Sequence, residues 1–130
     1  MTTLANPLAE HVWRTRYRFE DETSVDSTLD RVASALSGAE DHDRERWARR
    51  FRDALEGFAF LPGGRILAGA GTGRRVTLMN CFVMGALDDS LDGIFAALRE
   101  AAITLQQGGG VGTDFSPLRR LVQPYILRRL

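Results

Sequence analysis

The chain has 130 residues, about the size of one domain, and its 17 basic and 17 acidic side chains give a formal net charge of zero. This balance excludes a bulk attraction to nucleic acid or to an anionic membrane, and no apolar run approaches the roughly 20 residues of a transmembrane helix. The amino terminus does not resemble a secretory signal and there is a single cysteine, so we predict a cytoplasmic protein.

The first part of the chain, up to Gly57, is strongly charged and predicts helices. Ser24 can cap a helix whose apolar residues recur at helical spacing and which ends at Gly38. A second helix is predicted for residues 43–55, with Gly57 as its stop. Its arginine-rich face allows two interpretations, a phosphate-binding patch or a solvated helix face, and the pattern favours the solvated face.

The second part carries most of the glycine and predicts alternating strands and helices. Residues 66–68 are a short buried-strand candidate, and residues 76–84 are a stronger one. Residues 88–90 have the acidic and hydroxyl side chains of a helix start, and Gly108 would end that helix. Residues 111–115 predict another strand. The order strand, helix, strand indicates a mixed α/β fold with a crossover connection.

Cys81 is the only cysteine, and it lies between two glycine-rich segments at residues 61–72 and 107–112. Its thiolate can act as a reductant or a nucleophile, but the residue alone favours a small buried hydrophobe within a strand. His11 and His42 are expected to be exposed surface residues, so no metal site is predicted. Both glycine segments let backbone approach a ligand closely, yet each is also compatible with a simple turn.

Taken together, several stretches resemble the N-terminal part of the large, catalytic chain of ribonucleotide reductases, most closely the adenosylcobalamin-dependent class. These stretches are VWRTRYRF (residues 12–19), FLPGGRILAGAGT (60–72), NCFV (80–83), DSLDGIF (89–95) and GGGVGTDFS (108–116). The resemblance implies N-terminal helices followed by the first strands and a crossover helix of an incomplete α/β barrel. We therefore predict a helical region at residues 1–57, the start of the barrel at 58–119 and a divergent tail at 120–130.

The resemblance also implies roles for individual residues. Cys81 matches the catalytic cysteine that, with a second cysteine far along the chain, reduces the ribose 2′ position and becomes a disulfide. Gly64 matches a contact near the phosphates of the ribonucleotide substrate. Asn80 and Gly110 match further substrate contacts, the latter through its backbone.

A second set of residues matches the family's site for the deoxynucleoside triphosphate effector that sets substrate specificity: Asp89, Ser90, Leu91 and Arg119. Adenosylcobalamin is the cofactor implied for the intact enzyme. A dimer is an assembly that the family allows, and neither nucleic acid nor a membrane is an expected partner.

Several parts of the family's pattern do not occur in these 130 residues: the radical cysteine, the Asn and Glu that act with it, the second redox cysteine and the C-terminal cysteine pair. The resemblance stops after Arg119. A truncated gene or a frameshift would produce such a divergent tail. We therefore expect a fragment of a ribonucleotide reductase without turnover of its own. The alternatives are one half of a split reductase completed by a second polypeptide, an effector-binding regulatory module, and a non-functional remnant whose exposed strand edges promote aggregation.

Overall fold

The computed structural model describes residues 2–118, which form two compact units divided between Met79 and Asn80. Unit 1 contains α1 (Pro7–Val12), a π-helical segment (Trp13–Tyr17), α2 (Val25–Ser37), α3 (Arg44–Leu55), a 3-10 turn (Glu56–Phe58) and α4 (Gly64–Gly69). Unit 2 contains β1 (Cys81–Ala86), α5 (Leu91–Gln106) and β2 (Gly110–Asp114). Within residues 2–118 no helix combines the length and the apolar character that a bilayer span requires.

Helix α2 is the centre of unit 1 and forms as the sequence predicts. The hydroxyl of Ser24 accepts a hydrogen bond from the Ser27 N–H at 3.3 Å, and the helix ends before Gly38. Leu29 and Val32 on its inner face are almost completely buried. The helix thus supplies the apolar face against which Trp13, Leu55 of α3 and Leu67 of α4 pack.

Helix α3 also confirms the sequence prediction, since it ends at Leu55 and Gly57 follows with a positive φ of 61°. Most of its charged face is exposed to solvent, as expected. Arg52 is the exception, because its guanidinium lies 2.7 Å from Asp26 and 2.6 Å from Asp30. This residue therefore links α3 to α2 rather than facing water alone.

A chain of buried and partly buried hydrogen bonds runs along the core of unit 1. The indole N–H of Trp13 donates to Thr28 Oγ1 at 2.9 Å, and the Thr28 hydroxyl donates to Glu22 at 2.6 Å. The second carboxylate oxygen of Glu22 accepts from Arg31 Nε at 2.7 Å. Because every member has a partner, the burial of these polar groups is compensated.

Arg31 extends this network to the end of α4. Its guanidinium donates to the carbonyl oxygen of Leu67 at 2.9 Å and also to that of Ala70. The Leu67 carbonyl belongs to the last turn of α4 and the Ala70 carbonyl to its C-cap, where no intrahelical donor remains for them. Gly71 follows with a φ of 74°, and a Cβ there would lie 2.8 Å from Arg31 Cγ. Glycine at this position therefore allows the close approach of the arginine.

Two strand predictions are wrong. Residues 66–68 lie in α4, where Leu67 is buried and its carbonyl accepts from Arg31. The predicted strand at 76–84 begins only at Cys81. In the segment before it, Thr77 Oγ1 accepts from the Met79 N–H at 3.0 Å, a local turn that competes with strand pairing.

Unit 2 has the predicted strand, helix, strand order. β1 and β2 are parallel, with Cys81 opposite Gly110 and Phe82 opposite Val111. Ser90 caps α5 by accepting from the Gly93 N–H at 3.0 Å, as its position predicts. The second strand is shifted by one residue from the predicted range of 111–115.

The apolar faces of unit 2 remain uncovered in the described part of the chain. No residue of α5 is buried, and the side chain of Phe95 is 63% exposed. Val83 of β1 is 93% exposed. Parallel sheets in proteins are normally covered on both faces and seldom consist of two strands. Unit 2 is therefore consistent with the first segment of an incomplete α/β barrel.

We predict that Arg31→Met destabilises unit 1 by about 3–5 kcal/mol, because it leaves the carboxylate of Glu22 buried without its cation. The side chains of Arg31 and Glu22 are only 12% and 9% exposed. Urea unfolding followed by tryptophan fluorescence reports on unit 1 alone, since both tryptophans, Trp13 and Trp47, lie there. Arg14→Met is the matched control, because the Arg14–Glu10 pair is exposed and should contribute no more than about 1 kcal/mol. Equal losses in the two variants would contradict the prediction.

We also predict that unit 1 loses stability in acid. Burial alone would raise the pKa of Glu22, but hydrogen bonds from Arg31 and Thr28 outweigh it and hold the pKa below its ordinary value of 4.5. The unfolded chain therefore takes up this proton first, so the stabilisation is complete above pH 4.5 and declines as the pH falls through the folded-state pKa. The free energy of unfolding, measured across this range, should depend less steeply on pH in Glu22→Gln. An unchanged slope would show that Glu22 does not carry the effect.

Candidate functional site

The strand pair of unit 2 brings three of the predicted site residues together. Cys81 lies opposite Gly110, and the Gly110 N–H donates to the Asn80 carbonyl oxygen at 2.7 Å. A Cβ added at Gly110 would lie 3.5 Å from the Cys81 Sγ, at ordinary contact distance. The thiol therefore lies beside backbone that carries no side chain.

Cys81 is exposed, so its interpretation as a buried hydrophobe is wrong. It is the first residue of β1 and shares the exposed side of that strand with Val83. An exposed thiol is accessible to a ligand, which a buried structural cysteine is not. The geometry thus favours the chemical interpretation of this residue.

Gly109 is a residue whose importance the sequence does not reveal. A Cβ at this position would lie 2.8 Å from both the Phe82 ring and Thr104 Cγ2. The glycine therefore lets the end of α5 close against β1 and sets the approach to Gly110. Three consecutive glycines are the only sequence signal, and they do not show which one is needed for packing.

The residues matched to the effector site lie after the carboxyl end of β1, at the start of α5. The Ser90 hydroxyl donates to Asp88 Oδ2 at 2.8 Å as well as capping the helix. Asp89 is half-buried, whereas Leu91 is 75% exposed. Arg119, the fourth residue of this set, lies outside the described residues. The structure thus places three of the four on one helix terminus.

Gly64 belongs to unit 1, where it begins α4. A Cβ at Gly64 would lie 3.1 Å from the hydroxyl oxygen of Tyr17. The residue lines a cavity of about 450 Å³ whose walls are mainly aliphatic and aromatic. Gly64 is therefore part of a cavity of its own unit.

His11 and His42 are exposed, as predicted. Across residues 2–118 no three side chains of the His, Cys, Asp or Glu type come together as metal ligands. The chemistry that the described site can offer is therefore that of one accessible thiol beside open backbone.

Two family profiles match consecutive parts of the chain. The first is described as ribonucleotide reductase, all-alpha domain, and matches residues 3–75. The second is described as ribonucleotide reductase, barrel domain, and matches residues 79–125, a range that includes Arg119. The predicted divisions of the chain at residues 57 and 119 stay predictions.

Similar curated proteins are ribonucleotide reductases. The vitamin B12-dependent ribonucleoside-diphosphate reductase of Mycobacterium tuberculosis (strain CDC 1551 / Oshkosh) is 39% identical over 117 residues, which cover 83% of this chain and 17% of that protein. The protein of the same name from Thermoplasma acidophilum is 36% identical over 73 residues, 56% of this chain and 9% of its own length. The ribonucleoside-diphosphate reductase subunit alpha of Synechocystis sp. is 33% identical over 108 residues, 80% of this chain and 13% of its own.

The chain thus spans less than a fifth of the length of these relatives. The matched residues nevertheless include most of each unit and the whole of the strand pair that holds Cys81. On this evidence, the chain belongs to the ribonucleotide reductase large-subunit family.

Proposed function

We propose that this chain forms part of the substrate site of a cobalamin-dependent ribonucleoside-diphosphate reductase, with Cys81 as one of two reducing thiols. The observation that carries the proposal is the exposed Cys81 Sγ beside the bare backbone of Gly110. Because Gly110 places no side chain beside the exposed sulfur, backbone and sulfur leave room for a ribose. The names of the Mycobacterium and Thermoplasma relatives support the same reaction class.

In the proposed reaction the ribose 2′-hydroxyl is replaced by hydrogen and leaves as water. Two thiols supply the two electrons and two protons and become one disulfide, so atoms and electrons balance. Cys81 is the only cysteine of the 130 residues. The second thiol therefore belongs to another segment or another chain, and the isolated 130-residue protein is expected to show no turnover.

Adenosylcobalamin, when bound, supplies the radical that starts such a reduction. The described residues do not fit this cofactor. The cavity of about 450 Å³ in unit 1 has mainly apolar walls, whereas a corrinoid is bordered by amide groups that need hydrogen-bond partners. We assign no cofactor contact to this chain, whose part is to present the thiol and contact the substrate.

The uncovered faces of unit 2 support a further polypeptide segment as partner. An open groove of about 420 Å³ lies between β1 and α5, lined by Phe82, Val83 and Ile103 among others. Burying such apolar surface stabilises an assembly in proportion to the area removed from water. We infer that further barrel strands cover this groove, either in a longer form of this chain or in a second polypeptide.

The start of α5 is the proposed place for the deoxynucleoside triphosphate effector. Asp89 can accept from a sugar hydroxyl, and Arg119 can pair with phosphate. Calorimetric titration with deoxynucleoside triphosphates should detect binding that Asp89→Ala removes. Binding that is unchanged in Asp89→Ala would exclude this site.

We predict that Cys81→Ser abolishes reduction in a chimera in which this chain replaces the matched residues of the Mycobacterium relative. A hydroxyl cannot form the disulfide that the balance requires. Gly110→Ala should lower kcat/KM by about tenfold, or about 1.4 kcal/mol, because its methyl group lies beside the sulfur. Deoxyribonucleotide formation with adenosylcobalamin and a dithiol is the measurement.

Gly112→Ala is the matched control, because a Cβ there meets only the Phe82 carbonyl oxygen at 4.0 Å. It should leave kcat/KM near that of the unsubstituted chimera. Undiminished reduction by the Cys81→Ser chimera would refute the role of the thiol. Turnover by the 130-residue protein alone would refute the need for a second thiol from another segment or chain.

A further inference from the structure

Unit 1 contains a small cavity that the reductase proposal does not use. It lies at the end of α4, has a volume of about 130 Å³, and is lined by Arg65, Ala68, Gly69, Arg74, Val76 and Thr77. Two of these six side chains are cationic and none is acidic. The local charge of the cavity is therefore positive, although the net charge of the chain is zero.

Neither arginine is neutralised by the described residues. Within residues 2–118 the side chains of Arg65 and Arg74 make no hydrogen bond or ion pair. The guanidinium carbon of Arg74 lies 5.1 Å from the centroid of the Phe19 ring. Arg31 and Arg52, in contrast, each pair with a carboxylate at 2.7 Å or less. Two unpaired cations at one cavity favour an anionic ligand.

The contact with Phe19 fixes Arg74 without using its donors. An aromatic ring attracts the face of a guanidinium, so the N–H groups at its edge stay available for hydrogen bonds. Such an arrangement positions a planar fork of donors before a ligand arrives. The contact therefore leaves the Arg74 N–H groups available to an acceptor with several oxygens.

Close packing forms the wall of the cavity. A Cβ at Gly69 would lie 2.9 Å from Val76 Cγ2 and 3.2 Å from Leu78 Cδ2. The missing side chain lets residues 76–78 close against the end of α4. Tight packing in this unit thus shapes the cavity, and the two arginines give it its charge.

We propose that this cavity binds a phosphoryl group through Arg65 and Arg74. The oxygens of a phosphoryl group match the paired N–H donors of a guanidinium, and charge-assisted bonds of this kind are stronger than neutral ones. The volume of about 130 Å³ has room for a tetrahedral oxyanion. Free phosphate and the terminal phosphate of a nucleotide share this chemistry, and the proposal does not depend on the reductase function.

The test is titration of the 130-residue protein with inorganic phosphate at low ionic strength, followed by calorimetry and by 31P line broadening. Arg65→Ala and Arg74→Ala should each raise the Kd about tenfold or more, because each removes charge-assisted hydrogen bonds. Arg74→Lys should weaken binding less, since the charge remains while the fork is lost. Arg75→Ala is the matched control, because it makes the same charge change next to Arg74 but outside the cavity lining.

Parallel titrations distinguish the two sources. If a nucleoside diphosphate binds more tightly than phosphate and Arg65→Ala removes the difference, the natural ligand is a nucleotide. If the two affinities are equal, the natural ligand is free phosphate. Absence of phosphate binding, or an equal loss in Arg75→Ala, overturns the proposal. Tryptophan fluorescence confirms folding of each variant, and Arg65→Ala carries the test if Arg74→Ala fails to fold. Cys81→Ser should leave phosphate binding unchanged, so this result is independent of the proposed reduction.

Discussion

Parallel pairing of β1 with β2 is the constraint on which the candidate site depends. Parallel strands cannot be joined by a tight turn, so the chain must leave β1, run through α5 and return at Gly110. Only this crossover brings Gly110 beside Cys81, from which it is distant in sequence. The register then decides which residue faces the sulfur: a slip by one position would present Gly109, which must stay against Phe82, or Val111, whose side chain would stand in the way.

Helix ends and element order are predictable from this sequence because they depend on local interactions. Ser24 and Ser90 each accept a hydrogen bond from the N–H three residues ahead, a contact that needs no other part of the fold. The same holds for the order strand, helix, strand in unit 2. For the site, resemblance to the family singles out Cys81 and Gly110, but their adjacency follows from the sheet register, which no local pattern encodes.

The wrong predictions concern segments whose conformation depends on distant partners. Residues 66–68 are a short apolar run, and periodicity cannot tell whether such a run forms a strand or a helix. Arg31 on α2 stabilises the helix end by binding the carbonyls of Leu67 and Ala70. Residues 76–80 are compatible with a strand, but Thr77 forms a local turn instead. The exposure of Cys81 depends on what covers its side of β1, and there the neighbouring side chain, Val83, is also 93% exposed.

The position of Cys81 within its strand has a further geometric consequence. Cys81 and Gly110 begin their strands, whereas Asp89 follows the opposite end of β1, a strand of six residues that is roughly 17 Å long at about 3.3 Å per residue. A ligand that touches the sulfur at one edge of the sheet leaves the other edge free for a second ligand. Helix α5, whose 16 residues span roughly 24 Å, connects these two edges without a break. A displacement of its first turn would therefore be carried along the axis to the glycines that border the thiol.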